Sequence, residues 1–470
     1  MKHKNFQKIV HLSVVMMLFI LISLIIYQAD LSSNKHMVSK GKDGSDETFG
    51  IKAPKTSDYL SFSSLVIDDS GGPGNGTWAS INSTYDWCNG KGTIAEPYII
   101  ENITINAGGT GSGITINNSQ SVFFIIRNCT VYNTGSGASN AGITLDHTNN
   151  GIITLNNIHD NTRGIYLDSY CEDNIISNNT LDDNYYGIEL YSNDINNSIC
   201  NNTILGSNEG IGIHYQSRDN YIYNNVINET TGSNGIYLDN VNDNEVVENK
   251  IYNYDYGIRP SYSERIIISG NQMIKCGVFL FSNYLSDLNS QIIHTNNTVN
   301  GKPVYYYVDK NNLDAMNFSN AGQIILVNCQ DSIVNNLNLS DTSTGLGLYS
   351  CDNITVSNCS MSYNTYGTYL GISSANITIF NNTLINSYYG LYLLSSNEHN
   401  IIENNTISYN NRGISLNFYC NYNNITNNTL RFNAFGISLT GHSNNNTIIE
   451  NFISNSTSRG IHVANSNNNS

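Results

Sequence analysis

Apolar residues recur at every second position in short bursts, and most bursts open on the same beat, Gly-Ile-x-Leu. Clear copies start at Gly142, Gly164, Gly187, Gly235, Gly390, Gly413 and Gly436, and weaker ones at Gly113, Gly210, Gly257, Gly277, Gly345, Gly367 and Gly460. Most successive copies are 22 or 23 residues apart. A period in this range is that of a solenoid, in which no single turn can bury its apolar face alone. With the glycine as column one, column two holds Ile143, Ile165, Ile188 and Ile236, and column four holds Leu145, Leu167, Leu190 and Leu238. Apolar residues two apart share one face of a strand, not of a helix. A second short strand comes some ten residues later, as in 174–181 and 400–407, and no segment after residue 60 reads as an amphipathic helix. The predicted fold is therefore all-β: a right-handed, single-stranded parallel β-helix of about fifteen turns, with strands stacked roughly 4.8 Å apart.

Asparagine supplies about one residue in six, and the pair Asn178-Asn179 returns as Asn201-Asn202, Asn224-Asn225, Asn381-Asn382, Asn404-Asn405 and Asn427-Asn428. Stacked in register, one member of each pair can form an amide ladder along a corner, because each amide both donates and accepts. Many of these residues also lie in Asn-x-Ser/Thr sequons, which become glycan acceptors only outside the cell. Between Gly277 and Gly345 the spacing is 68 residues, close to three turns, so the solenoid continues there with an irregular excursion at about 281–344. Within it, Lys302-Pro303 and the run Tyr305 to Tyr307 predict a hairpin or loop standing off one face.

Charge narrows the class of partner. A net charge of −16 with only 21 Lys and Arg argues against nucleic acid. Lys2, Lys4 and Lys8 precede an apolar run from Ile9 to Tyr27, the arrangement that sends the downstream chain across a membrane. Residues 1–29 fit a retained signal anchor and a cleaved signal peptide equally, 30–64 read as a polar linker, and 65–470 form the solenoid. Nine cysteines, with no Cys-x-x-Cys pair, permit one or two disulfides, Cys351 and Cys359 being nearest in sequence. Cys129, Cys329 and Cys359 each come directly after an asparagine in a strand-like setting, which favours a small buried hydrophobe. The end at Asn467-Asn-Asn-Ser470 falls part-way through a turn, so truncation or a cap from another chain is expected.

These repeats resemble the NosD-type β-helix proteins, within the pectin-lyase-like superfamily of carbohydrate-binding and sugar-hydrolase domains. The resemblance rests on Asn-x-Ile-x-Asn-Asn-x-Ile succeeded by Gly-Ile-x-Leu, on residues 297–307 with 321–329, and on the lead-in at 96–105 with 125–130. It covers roughly residues 65–470. It implies the fold directly, and copper handling or carbohydrate chemistry by family, since members include lyases, hydrolases and non-enzymatic surface proteins.

For copper, ten histidines include His147, His159, His214, His294, His399, His442 and His462, with no His-x-His and no methionine cluster, so no metal site is expected. For sugar chemistry, alternation makes columns three and five point outward. The expected outward pairs are Thr144/Asp146, Tyr166/Asp168, Glu189/Tyr191, His214/Gln216, Tyr237/Asp239 and Arg259/Ser261. Asp146, Asp168 and Glu189 on adjacent turns form the candidate catalytic face, or a place for calcium; no other cofactor is expected. Tyr166, Tyr237, Arg259 and Tyr392 are the candidate carbohydrate contacts, because aromatic faces stack on sugar rings and a guanidinium pairs with a uronate. The bland alternative is that these rings stack on one another and the polar residues are simply solvated. Three functions fit: an exported or membrane-anchored surface protein that binds polysaccharide or serves adhesion, a polysaccharide lyase or hydrolase, and an accessory protein in copper delivery. The residues favour the first, non-catalytic reading.

Overall fold

The computed structural model describes residues 60–470; the apolar run and most of the linker lie outside the described residues. The described chain is a right-handed parallel β-solenoid of about 16 turns. Each regular turn contributes three short strands, one to each of three faces. The Gly-Ile-x-Leu strands stack in one register through Ile143, Ile165, Ile188, Ile211, Ile236 and Ile258. A second block runs from Ile324 through Leu346, Thr368, Leu391, Ile414 and Ile437 to Ile461. The long strands Val226–Asp239 and Lys250–Ser261 run continuously around one corner, so two faces merge into a 24-stranded sheet. The remaining faces form a ten-stranded sheet in the first block and six- and five-stranded sheets in the second.

The apolar columns are the core. Ile143, Leu145, Ile165, Leu167, Ile211, Ile213, Ile236 and Leu238 are all 0% exposed, and burying each such side chain contributes about 1.5–3 kcal/mol. Column one must be glycine because the next turn comes so close. A Cβ on Gly187 would lie 2.4 Å from the Gly210 carbonyl oxygen. The asparagine pairs divide their labour as the repeat predicts. The first member, such as Asn178, Asn201 or Asn224, turns the corner at φ of 56°, 55° and 55°, a left-handed conformation that asparagine tolerates. The second member points inward and builds the ladder: Asn179 Nδ2 donates to Asn202 Oδ1 at 3.0 Å, and Asn202 Nδ2 to Asn225 Oδ1 at 3.0 Å. A second ladder runs through Asn174, Asn197, Asn220 and Asn244, and another through Asn400, Asn423 and Asn446.

Four details refine the expectations. Two short helices do form, Trp78–Thr84 and Leu285–Asn289. The first seats Trp78 on Tyr98 and Phe124, with its indole N–H donating to Ser119 Oγ at 2.8 Å. In the middle segment a hairpin is present, Thr298–Val299 against Lys302–Pro303. Yet Tyr305–Tyr307 do not stand off: they continue as a strand in parallel register with Ile324–Leu326, because the solenoid needs a strand there. All nine cysteines are buried and free, so Cys351 and Cys359 are not bridged. No helix among the described residues is long and apolar enough to cross a membrane.

Candidate functional site

The outward side of the Gly-Ile-x-Leu sheet in the first block carries three columns of side chains. The residue before the glycine runs Arg163, Tyr186, Glu209, Asn234, Tyr256; column three runs Thr144, Tyr166, Glu189, Gly212, Tyr237, Arg259; column five runs Asp146, Asp168, Tyr191, His214, Asp239, Ser261. His214 thus sits in column five beside Tyr191, with Gly212 in column three, which corrects the predicted placing of His214 and Gln216 in those two columns. The segment Glu209-Gly-Ile-Gly-Ile-His214 has two glycines that satisfy the beat; burial of both Ile211 and Ile213 selects Gly210.

That shift assembles a cluster. The Arg163 guanidinium pairs with Glu189 and lies 5.0 Å and 4.9 Å from the ring centres of Tyr166 and Tyr186. His214 Nε2 is 3.3 Å from Glu209 Oε1 and 3.7 Å from Glu189 Oε1. Column three makes room for this convergence, since a Cβ on Gly212 would fall 2.2 Å from Glu209 Oε1 and 2.6 Å from His214 Nε2. Burial alone would lower the pKa of His214, but Glu209 beside it, with the charges of Glu189 and Asp239, raises it above the ordinary value. Burial, and after it the charges of Asp168 and Glu189, pushes the Tyr166 hydroxyl well up. Glu209 Oε1 and His214 Nε2 are buried without a well-directed hydrogen bond, and so are Asn234 Oδ1, Arg259 Nε and Ser261 Oγ on the next turns. Polar atoms left this way usually have a further partner or a chemical role.

The predicted residues divide between this cluster and its rim. Asp146 and Asp168 are neighbours in register; Asp146 pairs with His147 Nδ1 at 2.6 Å, and Asp168 accepts from Ser169 Oγ at 3.1 Å. Glu189 lies one column across from them, drawn to Arg163. Tyr166 is buried in the sheet face. Tyr237 and Arg259 pack together, the guanidinium 5.1 Å from the Tyr237 ring and 4.8 Å from that of Tyr256. Tyr392 lies in the second block, 4.5 Å from Tyr389 in a stack of rings. Outside these, exposed rings of Tyr170, Tyr191, Tyr215 and Tyr262 line one edge of the sheet, with Tyr191 and Tyr215 meeting edge to face at 4.8 Å. The sequence reading did not single out Glu209, Gly212 or this edge. The signal for Glu209 and Gly212 was the glycine in column three, unique in the first block.

A family model described as "Periplasmic copper-binding protein (NosD)" matches residues 98–278 and 283–470. The chain belongs to the NosD family. No curated protein matches it. Among solved structures it is similar to the Azotobacter vinelandii mannuronan C-5 epimerase AlgE4 A-module at 14% identity, covering 76% of this chain and 91% of that one, with a TM-score of 0.27. It is also similar to the catalytic domain of a GH87 α-1,3-glucanase in complex with nigerose, at 11% identity, 78% and 58% coverage and a TM-score of 0.29. A third likeness is to PfbA, a surface adhesin of Streptococcus pneumoniae, at 10% identity, 77% and 86% coverage and a TM-score of 0.19. Likenesses this distant say nothing about chemistry.

The copper in the family's description does not fit the donors of this NosD protein. Among the described residues no three His, Cys, Asp or Glu side chains converge as metal ligands. The nearest approach, His214 with two glutamates, lacks sulfur donors, and one of its carboxylates is taken by Arg163. The thiols are buried in the core, Cys329 and Cys351 on adjacent turns, and burial pushes Cys88 to about 11 and Cys129 to about 12, against the thiolate form in which a cysteine would bind copper.

Proposed function

We propose that this NosD-family protein is an exported surface β-helix, led across a membrane by its N-terminal apolar run, that holds polysaccharide along the first block without turning it over. The observation that carries this reading is the edge of exposed rings, Tyr170, Tyr191, Tyr215 and Tyr262, beside the open carboxylates Asp146 and Asp168. Tyr170, Tyr191 and Tyr215 on three successive turns, with Tyr262 two turns further on, offer stacking faces to an extended sugar chain, and the carboxylates accept from its hydroxyls. Tyr166, Tyr237 and Arg259 stand behind that edge and fix the strands that present it; Tyr392 would act on the second block alone. Calcium has two adjoining carboxylates in Asp146 and Asp168, against the six to eight oxygens it ordinarily takes.

The test is retention on a panel of neutral and acidic polysaccharides. Wild type is expected to be retarded by at least one member, and Tyr191→Ala with Tyr215→Ala to weaken this retardation about tenfold. Retardation that is indifferent to both rings refutes the reading.

A second reading has its own observation. His214 and Glu209 form a close acid–base pair beside Glu189, in a notch opened by Gly212, which is a workable constellation for glycan cleavage. Chain shortening of any panel member, lost in both His214→Gln and Asp168→Ala, would establish that reading in place of the first.

A further inference from the structure

The two blocks of turns meet at a seam, where Thr365 Oγ1 donates to the Asp255 carbonyl at 3.1 Å and Asn300 Nδ2 donates to the Asp341 carbonyl at 2.8 Å. Stacking is irregular there, and two clefts open. One of about 440 Å³ is lined by Asn253, Asp255, Lys275, Tyr363, Asn386 and Tyr388, among others. A smaller one of about 270 Å³ shares Lys275 and adds Asn300, Lys302 and Asp341. The larger lies within the roughly 300–1,000 Å³ typical of small-ligand sites.

One of its tyrosines departs from the ring stacking along its own corner. Tyr363, Asn386, Tyr409 and Phe432 occupy the same corner on successive turns. Tyr409 and Phe432 cover one another, stacked at 4.9 Å. Tyr363 faces Asn386 instead, makes no ring contact among the described residues, and is 62% exposed. Tyr388, also lining the cleft, is 54% exposed and its ring meets that of Tyr389, edge to face at 5.0 Å. Asn253, Asn386, Asp255 and Lys275 line the same cleft. Lys275 forms no ion pair among the described residues. The lysine and the aspartate offset each other, so the cleft presents no net charge to attract or repel a charged ligand.

We propose that this seam cleft is a second carbohydrate site that takes one or two residues of a neutral hexose chain, stacked on Tyr363 and Tyr388 with hydroxyls held by Asn253, Asn386, Asp255 and Lys275. The ligand class rests on the polysaccharide-binding reading above, but the residues and the place are separate from the tyrosine edge. The experiment compares retention of the full chain on immobilised neutral glucan, mannan and galactan. Wild type is set beside the double variant Tyr363→Ala/Tyr388→Ala and the edge variant Tyr191→Ala/Tyr215→Ala. Two lost stacking faces predict a fall in retention of roughly tenfold or more in the seam variant. Thermal unfolding should be unchanged, since both rings are largely in water, and the edge variant, with its seam intact, should retain neutral glycans better than a variant that lacks all four rings. Unchanged retention in the seam variant overturns the seam site while leaving the tyrosine edge standing. Absence of wild-type retention on all three neutral glycans overturns the seam site too, and retention on acidic glycans alone would then preserve the first reading.

Discussion

Replacing Asn202 by alanine removes four hydrogen bonds at once. Its Oδ1 accepts from the Asn179 backbone N–H and from Asn179 Nδ2, both at 3.0 Å. Its Nδ2 donates to the Ile176 carbonyl at 2.9 Å and to Asn225 Oδ1 at 3.0 Å. The losses are unequal. Asn179 Nδ2 still reaches the Ile153 carbonyl, and Asn225 Oδ1 still receives the Asn202 backbone N–H. The Asn179 backbone N–H, by contrast, loses its bond inside a dry corner. One such orphan costs about 1–3 kcal/mol, and three weakened neighbours add about 0.5–1.5 kcal/mol each. The sum is about 2.5–7.5 kcal/mol. Asn202→Asp should cost more near neutral pH, because its second oxygen then faces the Ile176 carbonyl and Asn225 Oδ1, two acceptors, and should recover partly in acid. Asn451, half-buried near the end of the same kind of ladder, should lose less than about 2 kcal/mol on truncation because water can replace the amide. Urea unfolding monitored by circular dichroism measures the differences. Because stacked repeats can unfold piecemeal, exchange of the Asn179 amide hydrogen supplies a local reading. A cost below about 1 kcal/mol for Asn202→Ala, or equal costs at positions 202 and 451, would refute the ladder as a source of stability.

Three further outcomes are expected. The raised pKa of His214 contributes stability that is complete below the unfolded value of about 6.5 and is lost as pH rises through the folded value; the melting temperature should therefore fall from pH 6 to pH 9 by an increment that is absent in His214→Gln. Burial pushes the Asp194 carboxyl well above its ordinary range despite the Cys171 N–H that it accepts, so its stabilising contribution is complete below about 3.9 and fades as pH rises. Asp194→Asn should accordingly raise the melting temperature at pH 7 by the equivalent of about 1–3 kcal/mol and change little at pH 4, as the matching Asn397 donates to the Leu370 and Leu394 carbonyls. Finally, copper titration monitored by absorption and paramagnetic resonance should show no stoichiometric site in residues 60–470, and a single tight site there would contradict the donor argument.

The fold was legible because its information is periodic. Ile165 and Leu167 declare their burial by spacing alone, and their counterparts on other turns repeat the statement. Asn178 and Asn179 were legible as corner and ladder for the same reason, although which member turned inward needed the backbone. The site was harder to read because it depends on where the period is locally ambiguous. With glycine at both 210 and 212, either could be column one, and choosing wrongly moves His214 by two places. Glu209 then falls outside the outward columns altogether. The tyrosine edge was hidden for another reason: Tyr170 and Tyr215 lie in corners, at φ of 56° and 45°, where strand alternation no longer predicts which way a side chain faces.

The asparagine ladder also bears on how such a chain can change length. Each amide accepts from the turn before and donates to the turn after, so the bonding rule at Asn179 is the rule at Asn202 and Asn225. Removing the 23 residues from one asparagine to the next would bring like against like and reconnect the series, whereas removing a fraction of a turn would set asparagine against isoleucine along a whole corner. Insertions and deletions in this protein are thus permitted in whole periods and penalised in fractions. Its length behaves as a quantised variable, adjustable turn by turn while each surviving turn keeps its chemistry.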